Sequence, residues 1–136
     1  MIFVDTSLFV AAVATRDAHH EDARLLISRF ASAGLLTSNQ VRGETWTFLN
    51  RRYGHRVAVA FLDMLERTSL VELAGVDDEL EAQALRWLRR HDEREYSFVD
   101  ATSFALMRSR RITEAMTFDQ DFAAAGFTTV VAGERR

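Results

Sequence analysis

Four acidic residues, Asp5, Glu44, Asp100 and Asp119, each end a short apolar run or fall in an early turn of an amphipathic stretch. In an open parallel sheet, ligands bind beyond the carboxyl ends of the strands, near the point where chain direction diverges from a central strand. Asp5 ends Ile2-Phe3-Val4, and Asp119 ends an apolar run at 112–118. Glu44 falls early in the helix expected after Leu35-Leu36-Thr37, and Asp100 in the first turn of one expected to begin at Phe98. All four can therefore reach one sheet edge. Two carboxylates about 4 Å apart repel by roughly 4 kcal/mol at an effective dielectric near 20, a large share of a net stability of ~5–15 kcal/mol. If the acids converge, a cation must join them. The chain has no lysine, which removes P-loop, Schiff-base and receiver-type phosphate chemistry at once. With oxygen ligands only, the cation is a hard divalent ion, Mg²⁺ or Mn²⁺. Such an ion polarises a phosphoryl oxygen, acidifies a bound water and stabilises the leaving oxygen, so the chemistry implied is phosphodiester hydrolysis.

Each acid also has a purely structural reading. Asp5 and Asp119 can cap the helices that follow them, and Asp121 can complement a helix dipole. Ser97-Phe98-Val99-Asp100 has capping-box spacing, and Glu44 can be an exposed helix residue. What these readings leave unexplained is the shared placement. The histidines show no ligand spacing. Arg51, Arg52 and Arg56 form one basic group, and Arg108, Arg110 and Arg111 another. They either complement helix C-termini or contact the phosphates of a nucleic-acid substrate, with Arg51 and Arg52 the leading candidates for contact.

The elements that must position these residues follow from hydrophobic period and punctuation, which alternate short β-rich runs with amphipathic stretches. Strands are expected at Ile2-Phe3-Val4, Leu35-Leu36-Thr37, and residues 69–73, 112–118 and 127–131. Helices are expected at about 7–15, 20–32, 39–53, 55–67, 77–90 and 98–110, with a short one from Gln120. The first strand is too apolar to have a wet face and should lie centrally. The helix at 55–67 is nearly apolar all round, so it is either deeply buried or shared with a partner; Phe61 and Leu62, about 100° apart on the wheel, should not both face the core.

Chain length and an apolar fraction of 48% suit one α/β domain spanning 1–136. A net charge of −3 runs against the basic character usual in nucleic-acid binders. No cysteine is present, and no apolar run approaches the ~18–20 residues needed to span a bilayer. The expectation is a cytoplasmic protein without a membrane segment.

Met1-Ile2-Phe3-Val4-Asp5-Thr6-Ser7 resembles the opening of a PIN domain. Glu44, Ser97-Phe98-Val99-Asp100-Ala101 and Thr117-Phe118-Asp119-Gln120-Asp121-Phe122 resemble the family's other acidic motifs, in order and at fitting spacing. The likeness covers the whole chain, and the length resembles the VapC toxins of bacterial toxin–antitoxin pairs. The resemblance implies a three-layer α/β/α sandwich with a mainly parallel sheet of four or five strands, and a Mg²⁺-dependent endoribonuclease. It implies Asp5, Asp100 and Asp119 as metal contacts and Glu44 as an orienter of metal waters. Asp121 is either a fifth acid or a helix-stabilising residue. Thr6 and Thr117 either support the site through their hydroxyls or serve a turn and a strand. RNA substrate, a cognate antitoxin whose tail crosses the acidic groove, and a homodimer are the partners implied. A stand-alone RNA-processing PIN nuclease and a non-catalytic protein-binding module are the alternatives.

Overall fold

Ile2–Val4 (β1) sets the architecture: Ile2, Phe3 and Val4 are at most 1% exposed, which requires cover on both faces and a neighbour on both edges. The computed structural model, which describes residues 1–132, supplies both. β1 pairs in parallel with Leu35–Ser38 (β2) on one side and Glu114–Met116 (β4) on the other. Val71–Ala74 (β3) and Thr128–Thr129 (β5) complete a five-stranded parallel sheet in the order β3-β2-β1-β4-β5.

The helices are Thr6–Val13 (α1), His20–Phe30 (α2), Asn39–Tyr53 (α3), His55–Arg67 (α4), Asp78–Arg90 (α5), Phe98–Ser109 (α6) and Asp121–Ala124 (α7). They flank the sheet as the expected α/β/α sandwich. Gly54, at φ 96°, takes the left-handed conformation that lets α3 and α4 meet without a longer loop. Among the described residues no helix is long and apolar enough to cross a membrane.

Several boundaries differ from the periodic reading, at the strand ends because specific hydrogen bonds override it. The third strand starts two residues late, since the Thr68 hydroxyl accepts from Leu70 N–H in a turn. The fourth is shorter at both ends: Ile112 N–H closes back onto Met107 C=O, and the Thr117 hydroxyl serves Asp5 and Asp119 N–H instead of a strand neighbour. The last strand shrinks because Phe127 N–H bonds to Phe122 C=O, although Val130 N–H still reaches Ala115 C=O. α2 stops at Phe30 and continues as a 3₁₀ turn over Ala31–Ala33.

In α4, only Ala58, Phe61 and Leu65 are buried, one stripe at helical spacing. Phe61 is fully buried while Leu62 is half-buried, the division expected from their angular separation. A second packing centre forms where α5, α6 and the segment after β4 meet. Phe104 of α6 touches Trp87, Phe122 and Phe127 at ring-centroid distances of 5.1, 5.0 and 5.4 Å. These rings fix α6 against the segment that carries Asp119 and Asp121.

Candidate active site

The strand order reverses at β1, with β2 on one side and β4 on the other, and an α/β sheet opens a crevice at such a point. Asp5 stands immediately beyond β1, and its N–H donates to Met116 C=O at 3.2 Å, locking the ends of β1 and β4 together. Ser38 ends β2 and caps α3 by accepting from Val41 N–H at 3.0 Å, which places Glu44 in the second turn beside the crevice. Asp100 lies in the first turn of α6, and Asp119 and Asp121 follow β4. Asp5, Glu44, Asp100, Asp119 and Asp121 line one cavity of about 360 Å³.

The floor of this cavity is a chain of short polar contacts. Thr117 Oγ1 donates to Asp5 Oδ2 at 2.9 Å and accepts Asp119 N–H at 3.0 Å. Ser7 Oγ lies 3.2 Å from the same Asp5 oxygen and accepts Phe118 N–H at 2.9 Å. Thr6 Oγ1 donates to Glu44 Oε1 at 2.6 Å. Thr6 and Thr117 thus hold acids rather than merely occupying a turn and a strand. Asp5 occupies the cap position of α1, but its side chain makes no capping bond.

Asp100 does form the capping box: its Oδ2 accepts Ser97 N–H at 3.0 Å while Ser97 Oγ accepts Asp100 N–H at 2.9 Å. The cap uses one carboxylate oxygen, so it leaves the other available to the cavity. Asp119 Oδ1 accepts Asp121 N–H at 3.0 Å, so it shapes the turn into α7 without capping from the cap position. Asp100, Asp119 and Asp121 each offer an oxygen, and these oxygens lie within 4.8 Å of one another. Asp121 stands inside this trio; Asp5 is outside it, on the same cavity.

Burial pushes Asp5 from 3.8 up to about 6, with Glu44 and Asp119 adding repulsion against the opposing Thr117 bond. Burial likewise raises Asp100 to about 7; Asp5 and Asp121 add repulsion, and Asp100 is near enough to Asp121 to share a proton. Asp119 is also raised, again by burial first. Asp121 moves the other way: burial raises it, but hydrogen bonds to Arg94, Asp100 and Asp119 together outweigh that and hold it low. Arg94 Nε donates to Asp121 Oδ1 at 2.8 Å, and that pair is the arginine–carboxylate contact at the cluster among the described residues.

The donor set fits a hard divalent cation. It is all oxygen, three carboxylates converge, and burial raises the carboxyls of Asp5 and Asp100 above their ordinary range, a cost that a bound cation offsets. Arg51 and Arg52 are exposed in the last turn of α3 and line a groove of about 790 Å³ that adjoins the cavity through Glu44 and Phe48. Neither makes an ion pair among the described residues.

Sequence reasoning missed Ser7, Arg94 and His19. Ser7 had a signal, a hydroxyl two residues past the first acid. Arg94 had none, since its partner lies 27 residues away. His19, outside any ligand spacing, stacks on Phe118 at 4.4 Å on the cavity wall.

Comparison with known proteins agrees with this geometry. The PIN domain family matches residues 2–128. The chain is 53% identical over 130 residues to the 23S rRNA-specific endonuclease VapC20 of Mycobacterium tuberculosis, covering 96% of this chain and 98% of that protein. The crystal structure of Mycobacterium tuberculosis VapC20, described as a sarcin-ricin loop cleaving toxin, matches with a TM-score of 0.89 over 96% of this chain and 99% of that one. Two structures share the fold at low identity. VapBC2 from Rickettsia felis, bound to a DNA fragment from their promoter, matches at TM-score 0.71 and 13% identity, covering 96% of this chain and 98% of that chain. A toxin–antitoxin complex from Klebsiella pneumoniae matches at 0.65 and 14%, covering 98% and 99%.

Proposed function

The chain belongs to the PIN domain family, and from that premise we propose that it is a Mg²⁺-dependent endoribonuclease, the toxin of a toxin–antitoxin pair, acting on ribosomal RNA in the cytoplasm. The observation that carries the catalytic reading is the convergence of carboxylates on one cavity, three of them within 4.8 Å. The RNA substrate rests on the likeness to VapC20, and the antitoxin partner on the description of that relative as a toxin.

In this reading Asp100, Asp119 and Asp121 would hold the metal, with Asp5 bordering them. When bound, Mg²⁺, or Mn²⁺ in its place, supplies Lewis-acid polarisation of the phosphate and a water acidic enough to attack. The protein's own part is to aim the carboxylates, through hydrogen bonds that favour the ionised form against the burial that raises Asp5 and Asp100. Thr117 and Ser7 hold one oxygen of Asp5, Ser97 N–H holds one oxygen of Asp100, and Arg94 fixes Asp121. Glu44, held by Thr6, orients water at the cavity wall. Burial of Asp5 and Asp100 keeps bulk water from screening these charges.

The direct test is hydrolysis of ribosomal RNA with added Mg²⁺ or Mn²⁺ and with excess chelator, at pH 5.5 and pH 8. Activity should require the divalent ion, and full activity in chelator would overturn the reading. Asp5 and Asp100 titrate near 6 and 7 in the folded chain but near 3.8 when unfolded. Between those values the folded state binds more protons, so metal-free stability should fall as pH rises through about 4 to 7. Metal must displace those protons, so at limiting Mg²⁺ the rate should rise with pH over the upper part of the same window. A metal-free melting temperature higher at pH 8 than at pH 5.5 would contradict the sign.

Arg51 and Arg52 are assigned to phosphate contact. Replacing both with Ser should weaken RNA binding and reduce the magnitude of the log–log salt slope by about 1–2, since each neutralised phosphate releases roughly one counterion. An unchanged slope, read by fluorescence anisotropy at several salt concentrations, would return them to helix-end surface residues.

We also assign a homodimer. Leu62 is half-buried beside Leu73, which is 39% exposed, so α4 and the edge strand β3 present apolar surface beyond the core stripe. Sedimentation should report a dimer at micromolar concentration; a monomer there would overturn the assignment and leave the nuclease reading intact.

A further inference from the structure

The cavity that gathers the carboxylates has an aromatic face on two of its walls. We propose that Phe48 and the His19–Phe118 pair are base-stacking residues, gripping the bases that flank the phosphate to be cut. This deepens the nuclease reading above and rests on it.

One wall is Phe48 of α3, a phenylalanine left 44% exposed. It borders both the acidic cavity and the adjoining groove. Glu44, Phe48 and the pair Arg51 and Arg52 are spaced i, i+4 and i+7/i+8, so they form one stripe along the helix. An acid at the cavity, an apolar ring beside it and, beyond it, two guanidinium groups that make no ion pair among the described residues form an order that suits a nucleotide chain. The base lies on the ring while the backbone runs on to the arginines.

The other wall is the His19 ring stacked on Phe118, with centroids 4.4 Å apart and planes at 12°. Phe118 immediately precedes Asp119, so this pair is fixed beside the acids by the main chain. His19 is exposed, and its ring nitrogens make no hydrogen bond among the described residues. Stacking alone positions the ring, which leaves its outer face free for a further planar group.

Every base has a π-face, so aromatic walls bind bases without demanding a sequence. Bases paired and stacked in a helix cannot offer those faces, whereas loop nucleotides can be splayed out onto them. The rings thus hold bases splayed out beside the acids, and the net-acidic chain gains part of its RNA affinity from stacking rather than charge.

The test uses a labelled ten-nucleotide oligoadenylate and an abasic ribose-phosphate strand of equal length, measured by fluorescence anisotropy in the Asp100→Asn background with Mg²⁺ present. The base-bearing strand should bind roughly ten-fold more tightly than the abasic one. Phe48→Leu and His19→Ala should each remove most of that preference, while Phe48→Trp and His19→Tyr should keep it, with melting temperatures confirming that every variant is folded. Equal affinity for the two strands would overturn the proposal, as would a preference untouched by Phe48→Leu and His19→Ala. A wild-type chain that cuts RNA in Mg²⁺, together with no such preference in the Asp100→Asn background, refutes the aromatic walls alone. A wild-type chain that cuts no RNA refutes the nuclease reading, and this proposal with it.

Discussion

Asp100→Asn should reduce metal-dependent RNA hydrolysis at least about 100-fold while leaving the chain folded, because changing groups that only orient a metal's ligands already costs about 10–100-fold. The substitution keeps side-chain size, and the amide oxygen can still accept Ser97 N–H, so the capping box that starts α6 survives. What disappears is one of three charges within 4.8 Å. Stability should move the opposite way from activity. Burial raises the Asp100 carboxyl to about 7, so above that pH the folded chain carries an ion it would rather hold protonated. A neutral amide removes this penalty, and metal-free Asp100→Asn should melt at or above the wild-type temperature at pH 8. Added Mg²⁺ should raise the wild-type melting temperature more than that of the variant. Paired melting curves and single-turnover cleavage would check both signs, and wild-type activity in Asp100→Asn would remove this residue from the mechanism.

Phe104→Ala should destabilise the chain by about 3–5 kcal/mol, the usual cost of emptying a buried aromatic site. Phe104 is fully buried, with four aromatic neighbours in Trp87, Tyr96, Phe122 and Phe127. Against a typical stability of ~5–15 kcal/mol, that loss alone can bring a small domain near unfolding at physiological temperature. The same rings brace the helix bearing Asp100 against the segment bearing Asp119 and Asp121. Residual folded Phe104→Ala should therefore bind Mg²⁺ more weakly than wild type. Urea denaturation gives the stability change, and calorimetric titration with Mg²⁺ gives the second effect. Leu85→Ala on α5, where the leucine is 41% exposed, is the control and should fall within about 1 kcal/mol of wild type. Equal losses for the two variants would show that Phe104 is not the packing centre.

The sequence was enough to place β1 centrally, since three consecutive buried apolar residues admit no wet face. It was enough to order the five strands and seven helices of the described residues and to point to an oxygen-ligand metal chemistry, with no lysine or cysteine and no histidine ligand spacing. It also located Asp5, Glu44, Asp100 and Asp119 at strand ends and early helical turns, because those positions are read from local period alone. It did not separate cap from ligand at Asp100, where one oxygen serves the capping box and the residue also joins the carboxylate trio. It left Asp121 open for the same reason. Strand lengths were least legible where a side chain took over a main-chain partner, as the Thr117 hydroxyl does at the end of β4. The tertiary structure alone decided which groups meet across distance: Thr6 with Glu44, Thr117 with Asp5, and Arg94 with Asp121. It also set the charge state of the site, because desolvation depends on the whole shell of neighbours and has no signature in residue spacing. Local periodicity encodes which face of an element is apolar, whereas the convergence of acids on a single cavity, held by hydroxyls and one arginine, is a property of how those elements pack.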